Sequence, residues 1–190
     1  DGRYEWQDSW RGDQLPSLYN PAQGWIATSN QMNLPADYPY RERMLGFEWT
    51  NPSRHLRIAE VLAAIPKVSI EDSLRLQNDV TSLPARRLQA LLRPLTSDDP
   101  DTHAALQLLA SWDAAETQES AAAALFEVWL SRHLLRGFKE AVLPKAAAAA
   151  MGNADVAVTL ASLEAPAARF GEQAAQQRDR LLLGTLAAAY

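Results

Sequence analysis

The sequence predicts a mainly α-helical body of about seven helices, preceded by a short β-hairpin and an irregular loop. Three observations carry that expectation. From Ser53 onward apolar residues recur at helical spacing. The first fifty residues instead gather aromatics, glycine and proline, the punctuation of short strands and turns. The whole chain of 190 residues is 47% hydrophobic and 22% charged, which is globular composition with enough apolar mass for one real core.

The N-terminal segment holds Trp6, Trp10, Trp25 and Trp49, four of the six tryptophans. "NPAQG", Asn20 to Gly24, is a turn. Proline presets φ, asparagine favours the entry and glycine suits the exit. The flanks Leu15–Tyr19 and Trp25–Ser29 are then paired strands, and Leu34 to Thr50, with Pro35 and Pro39, is an irregular loop. The organisation follows: 1–52 is a strand-and-loop segment and 53–190 a helical one.

The helices come in order. Leu56, Ile58, Val61, Leu62 and Ile65 form an apolar stripe closed by Pro66. Ser69 with Asp72 resembles a capping box opening a helix that carries Ile70, Leu74, Leu76 and Val80. Pro84 suits the first turn of another helix with Leu88, Leu91 and Leu92. "TSDDPDTHAALQLLASW" reads as a cap, an acidic first turn and a helix. "TQESAAAALFEVWLSRHLLRG" is a longer amphipathic helix stopping at Gly137. Further helices run from Pro144 to Met151, from Asp155 to Leu163, and from about Gly171 onward.

Charge and composition exclude several classes. The net charge of −5 does not suggest a nucleic-acid partner, which calls for a basic surface. No run approaches the roughly 18 apolar residues of a membrane span. Cysteine is absent, so disulfides, thiolate metal sites and a cysteine nucleophile are excluded. His55, His103 and His133 are scattered and read as surface or helix-end residues, not a metal site. Asp98, Asp99 and Asp101 read as helix capping, since the spacing of a calcium loop is missing. The chain starts at Asp1 and ends on the apolar "LLLGTLAAAY", and both ends read as cut from something longer.

Two residues carry a choice. Asn30 ends a strand and is either a turn-forming asparagine or an amide donor aimed at a developing oxyanion. Arg54 opens a helix, a poor place for a cation. It is either a solvated arginine or one whose pairing offsets the position.

The same residues carry a resemblance. "LPSLYNPAQGWIATSNQ", then "DYPY", then "EWTNPSRHLRIAEVLAAIPKVSIEDSLRLQNDVTSL" resemble the interior of the β chain of the penicillin acylase family, as does "LLASWDAAETQESAAAALFEVW". The shared pattern runs through Asn20, Pro21, Gly24, Asn30, Tyr38, Pro39, Trp49 and Arg54. The resemblance implies an N-terminal-nucleophile amidohydrolase with a four-layer αββα fold, of which this chain is an internal fragment and part of one larger domain. The nucleophile in that family is a serine opening the β chain, with its own α-amino group as base. Asn30 then matches the oxyanion asparagine, and Arg54 the arginine that organises the active centre. Asp1 is no nucleophile, and no Gly-Ser junction occurs.

The resemblance further implies hydrolysis of N-acylated small molecules by the full-length protein: penicillin or cephalosporin side-chain amides, or acyl-homoserine lactones. This chain alone is then inactive. The partners are the remaining α-chain and β-chain segments of the same precursor, and the location is periplasmic or secreted. No cofactor is implied, although some members bind a structural calcium through carboxylates. Glu42 is the nearest residue for that role. Trp25, Trp49 and the Tyr38 loop are core or pocket wall. The rival reading is a non-enzymatic helical module that binds a protein or peptide in a groove.

Overall fold

The computed structural model describes residues 2, 5, 8–46 and 48–190. Asp1 and Trp6 lie outside the described residues. The chain divides into two compact units, Asp1–Pro66 and Lys67–Tyr190.

The C-terminal unit is mainly helical, and five of its helices start where a side chain satisfies a free amide. Helix α2 (Ile70–Gln77) has the reciprocal box: Asp72 N–H donates to Ser69 Oγ at 3.1 Å and Ser69 N–H to Asp72 Oδ2 at 2.9 Å. Helix α3 (Leu83–Leu92) is capped by Ser82 and has Pro84 in its first turn. Helix α4 (Pro100–Ala110) is capped by Asp99, whose Oδ2 accepts from the Thr102 N–H at 2.8 Å. Asp99 is thus a capping residue, the role its position predicts.

Helix α5 (Ala121–Val128) starts at the Ser120 cap. It passes without a break through a π-helical segment, Trp129–Leu134, into α6 (Leu135–Val142). The stop expected at Gly137 does not occur. Gly137 lies inside α6 because a neighbour comes close: a Cβ there would sit 2.8 Å from Thr185 Cγ2 and 3.2 Å from Leu181 Cδ1. The π segment has its own cause. Ala122, Phe126, Leu130, Leu134 and Phe138 are all buried and all four residues apart. On a regular α-helix each step of four overshoots a full turn by about 40°. A widened turn absorbs that drift and keeps the stripe on one side.

Helices α7 (Lys145–Ala150), α8 (Val156–Glu164), α9 (Ala167–Phe170) and α10 (Ala174–Ala187) complete the unit. Helix α10 packs against α4, α6, α9 and the π segment, while α3 packs against α4 and α8. Leu88, Leu109, Phe126, Trp129, Leu134 and Leu182 are fully enclosed at the centre. The Trp129 indole N–H donates to Thr185 Oγ1 at 3.0 Å, so the largest core residue leaves no polar atom stranded.

The N-terminal unit is built differently. Its turn forms as expected: Gly24 N–H donates to Pro21 O at 2.9 Å, with Asn20 and Gly24 at φ of 44° and 77°. The paired strands do not form. Leu15–Tyr19 and Trp25–Ser29 make no ladder, and the described residues hold only one isolated β-bridge, Thr81 with Ala115. A lone hairpin is marginal in water. Leu18, Tyr19 and Ile26 are also exposed, so no buried face pins a register. Residues after Asn30 run through short turns, including Tyr38 N–H to Pro35 O at 3.0 Å, to helix α1 (Ser53–Ala64).

Candidate functional site

The site grows from the end of the extended segment. Asn30 takes up φ of 65°, the left-handed region that asparagine tolerates better than other non-glycine residues. That turn lifts the chain off its extended course, and a second segment fixes it there. Thr50 N–H donates to Asn30 O at 2.8 Å, and Thr50 Oγ1 donates to Ser29 O at 3.2 Å. On the near side Ser29 N–H donates to Gln31 Oε1 at 2.8 Å.

Arg54 comes from the first turn of α1. This helix has no acidic residue in its first turn, so the guanidinium meets the positive helix end unaided. Two acceptors offset that. Arg54 Nη2 donates to Ser29 O at 2.9 Å and to Asn30 Oδ1 at 3.0 Å. The helix start itself is held by Asn51, whose Oδ1 accepts from Ser53 N–H at 2.8 Å. Asn30 and Arg54, 24 residues apart, are therefore in direct contact.

This contact decides which way the amide points. Arginine has donors and no acceptor, so Asn30 can face it only with its oxygen. The Nδ2 donor is turned to the other side and has no hydrogen bond among the described residues. Both side chains are exposed. The result is a neutral N–H donor whose carbonyl end is anchored by a cation, which strengthens the donor by polarisation.

Thr28 and Gln31 flank this turn and line a cavity of about 620 Å3 together with Trp25, Ile26, Met32 and His55. Trp25 is half-buried in its wall. Trp49 is half-buried too, its ring 3.6 Å from where a Cβ on Gly46 would sit. Tyr38 Oη, Trp49 Nε1 and His55 Nδ1 are enclosed without a hydrogen-bond partner among the described residues. Sequence reasoning missed Gln31 and Thr50. The "NQ" step gave the only hint of Gln31, while Thr50 contributes mainly a backbone N–H, which no residue type announces.

The described residues contain no group of three or more His, Cys, Asp or Glu side chains that could hold a metal, and Glu42 is exposed in the turn after Pro39.

Comparison with known proteins gives a consistent picture. A family model described as Penicillin amidase matches residues 1–190. The acyl-homoserine lactone acylase QuiP of Pseudomonas syringae pv. tomato is 29% identical over 160 residues, covering 76% of this chain and 19% of that protein. QuiP of Pseudomonas aeruginosa is 36% identical over 92 residues, covering 48% and 10%. Penicillin G acylase of Escherichia coli is 29% identical over 156 residues, covering 74% and 18%. The chain thus spans about a fifth of the length of the curated relatives it matches. Among solved structures, a thermostable penicillin G acylase from Alcaligenes faecalis matches with a TM-score of 0.66 at 21% identity, over 100% of this chain and 39% of that one.

Proposed function

The chain belongs to the penicillin amidase family, and on that premise we propose that it is the part of an acylase-type amidohydrolase that supplies one oxyanion donor and its anchor. Asn30 Nδ2 and a backbone N–H from elsewhere in the enzyme hold the oxygen of the tetrahedral intermediate. Arg54 fixes the amide that donates. The nucleophile is an N-terminal serine from another segment of the longer protein, with its own α-amino group as base. The serine oxygen adds to the acyl carbon, the C–N bond breaks, and the amine leaves with the proton. Water then releases the carboxylic acid and restores the serine.

The observation that supports this reading is the hydrogen bond from Arg54 Nη2 to Asn30 Oδ1 at 3.0 Å. It leaves an oriented N–H donor that has no partner among the described residues, the group an oxyanion site requires. The substrate is a linear amide with an apolar acyl group, of the penicillin, cephalosporin or acyl-homoserine-lactone type, in keeping with the names of the relatives. The setting is the four-layer αββα fold of the family, in which both units form part of one larger domain. The enzyme works in the periplasm or outside the cell, with its other α-chain and β-chain segments as partners, and the chain alone hydrolyses nothing.

The test is Asn30→Asp in the full-length enzyme. Aspartate tolerates the left-handed backbone and keeps an oxygen for Arg54, but it offers no donor. Loss of about 10²–10³ in kcat is expected, with normal maturation. A near-normal kcat removes Asn30 from the mechanism.

A further inference from the structure

We propose that Gln31 is a positioning residue that sets the backbone of Asn30 and, through it, aims the Asn30 amide. This inference rests on the reading of Asn30 as a donor. Gln31 is 6% exposed, the only buried residue among the described residues of the unit 1–66. A polar side chain occupies that place while Leu18, Ile26 and Met32 are exposed. Its burial is therefore not explained by apolar packing.

What Gln31 does there is specific. Its Oε1 accepts from Ser29 N–H at 2.8 Å and lies 3.4 Å from Ser29 Oγ. That bond reaches back across Asn30 and closes a small ring around it. Asn30 stands inside the ring at φ of 65°. The other contacts act from the far side: Arg54 and Thr50 Oγ1 on Ser29 O, and Thr50 N–H on Asn30 O. Arg54 fixes how the Asn30 side chain is rotated. It does not hold the Ser29 N–H, so it leaves the approach of the chain into Asn30 to Gln31. Shielding from water makes the Gln31 bond more directive than an exposed one. Asparagine, one methylene shorter, does not reach the same point, and methionine fills the same space without an acceptor.

The experiment has two arms. In the 190-residue chain, the Asn30 backbone torsion is measured by NMR for the parent and for Gln31→Met. Loss of the left-handed torsion in the variant, with the helical signals unchanged, is expected. In the full-length enzyme, Gln31→Met lowers kcat about tenfold to a hundredfold with KM little changed, the size of effect a small misplacement produces. In an Asn30→Gly background the same change has little further effect on kcat, because the group being aimed is gone. An unchanged Asn30 torsion, or an equal kcat loss in the Asn30→Gly background, overturns the proposal. A shifted torsion with unaltered kcat instead overturns the reading of Asn30 as the oxyanion donor.

Discussion

Arg54 Nη2 bridges two acceptors on adjacent residues: the Asn30 side-chain oxygen at 3.0 Å and the Ser29 carbonyl at 2.9 Å. One nitrogen thus ties the first turn of α1 to both the main chain and the side chain of the turn at Asn30. A charged donor makes each of these bonds stronger than a neutral one.

Removing the bridge should unlock the amide without removing it. Arg54→Ala in the full-length enzyme is expected to lower kcat about tenfold to a hundredfold, since the amide can then rotate. Arg54→Lys should recover part of the loss, because a lysine is a point charge that reaches one acceptor more readily than two. Steady-state kinetics on purified, matured enzyme decide it. Equal activity of the alanine and parent proteins would leave the anchor without a role.

Gln89 makes a similar double contact inside the helical unit. Its Nε2 donates to Leu109 O and Trp112 O, both at 2.8 Å, at the C-terminal end of α4. Beyond the last helical amides the Leu109 carbonyl otherwise receives a long contact from Trp112 N–H, at 3.4 Å, and the Trp112 carbonyl relies on Gln89 among the described residues. Gln89→Leu should cost about 1–3 kcal/mol, the cost of stranding such groups. Urea denaturation of the chain measures this directly.

Gly137→Ala sets two effects against each other. Alanine favours the helix by about 1 kcal/mol, while overpacking costs about 1–3 kcal/mol. Thr185 cannot easily turn aside, because its Oγ1 accepts from Trp129 at 3.0 Å and donates to Leu181 O at 2.7 Å. Net destabilisation is expected, seen as a lower Tm. Combining Gly137→Ala with Thr185→Ser should reverse much of it, since serine keeps the hydroxyl and lacks the blocking methyl.

Arg87 and Glu164 join α3 to α8 through two hydrogen bonds, of 2.7 and 2.6 Å. The guanidinium holds the Glu164 carboxyl below its ordinary value of 4.5. The pair therefore stabilises fully above that ordinary value, and the contribution is lost as pH falls through the lower folded value. Both side chains are partly exposed, so the effect is at most about 1 kcal/mol. Glu164→Gln should lower stability slightly at pH 7, and the gap should close in acid. A gap of constant size across that range would rule the ion pair out as its source.

The helical body was largely legible because its signals are local. Ser69, Ser82, Asp99, Ser120 and Asp155 each cap the helix that follows them. The failures lie where a distant neighbour decides. Gly137 looks like a stop, but Thr185 and Leu181 explain it. Val80 falls outside α2, which ends at Gln77, where Asn78 Nδ2 bonds Leu74 O at 2.8 Å. Leu15–Tyr19 and Trp25–Ser29 have strand composition without a ladder to join. At the site, Asn30 and Arg54 could be singled out as residues, but only their contact explains why Arg54 tolerates a helix start. Gln31 was silent because burial of a glutamine is a property of its surroundings.

The π segment Trp129–Leu134 has a consequence for how this protein can change in length. Helices ordinarily tolerate neither gain nor loss of a residue, since every side chain beyond the change would swing by about 100°. Here the widened turn already holds surplus chain. Deleting one of its exposed residues, Ser131 or Arg132, would restore regular winding and leave Leu134, Leu135 and Phe138 facing the core. The count of residues between Phe126 and Phe138 can therefore fall by one, in the middle of the body and far from any loop, with the buried stripe kept in place.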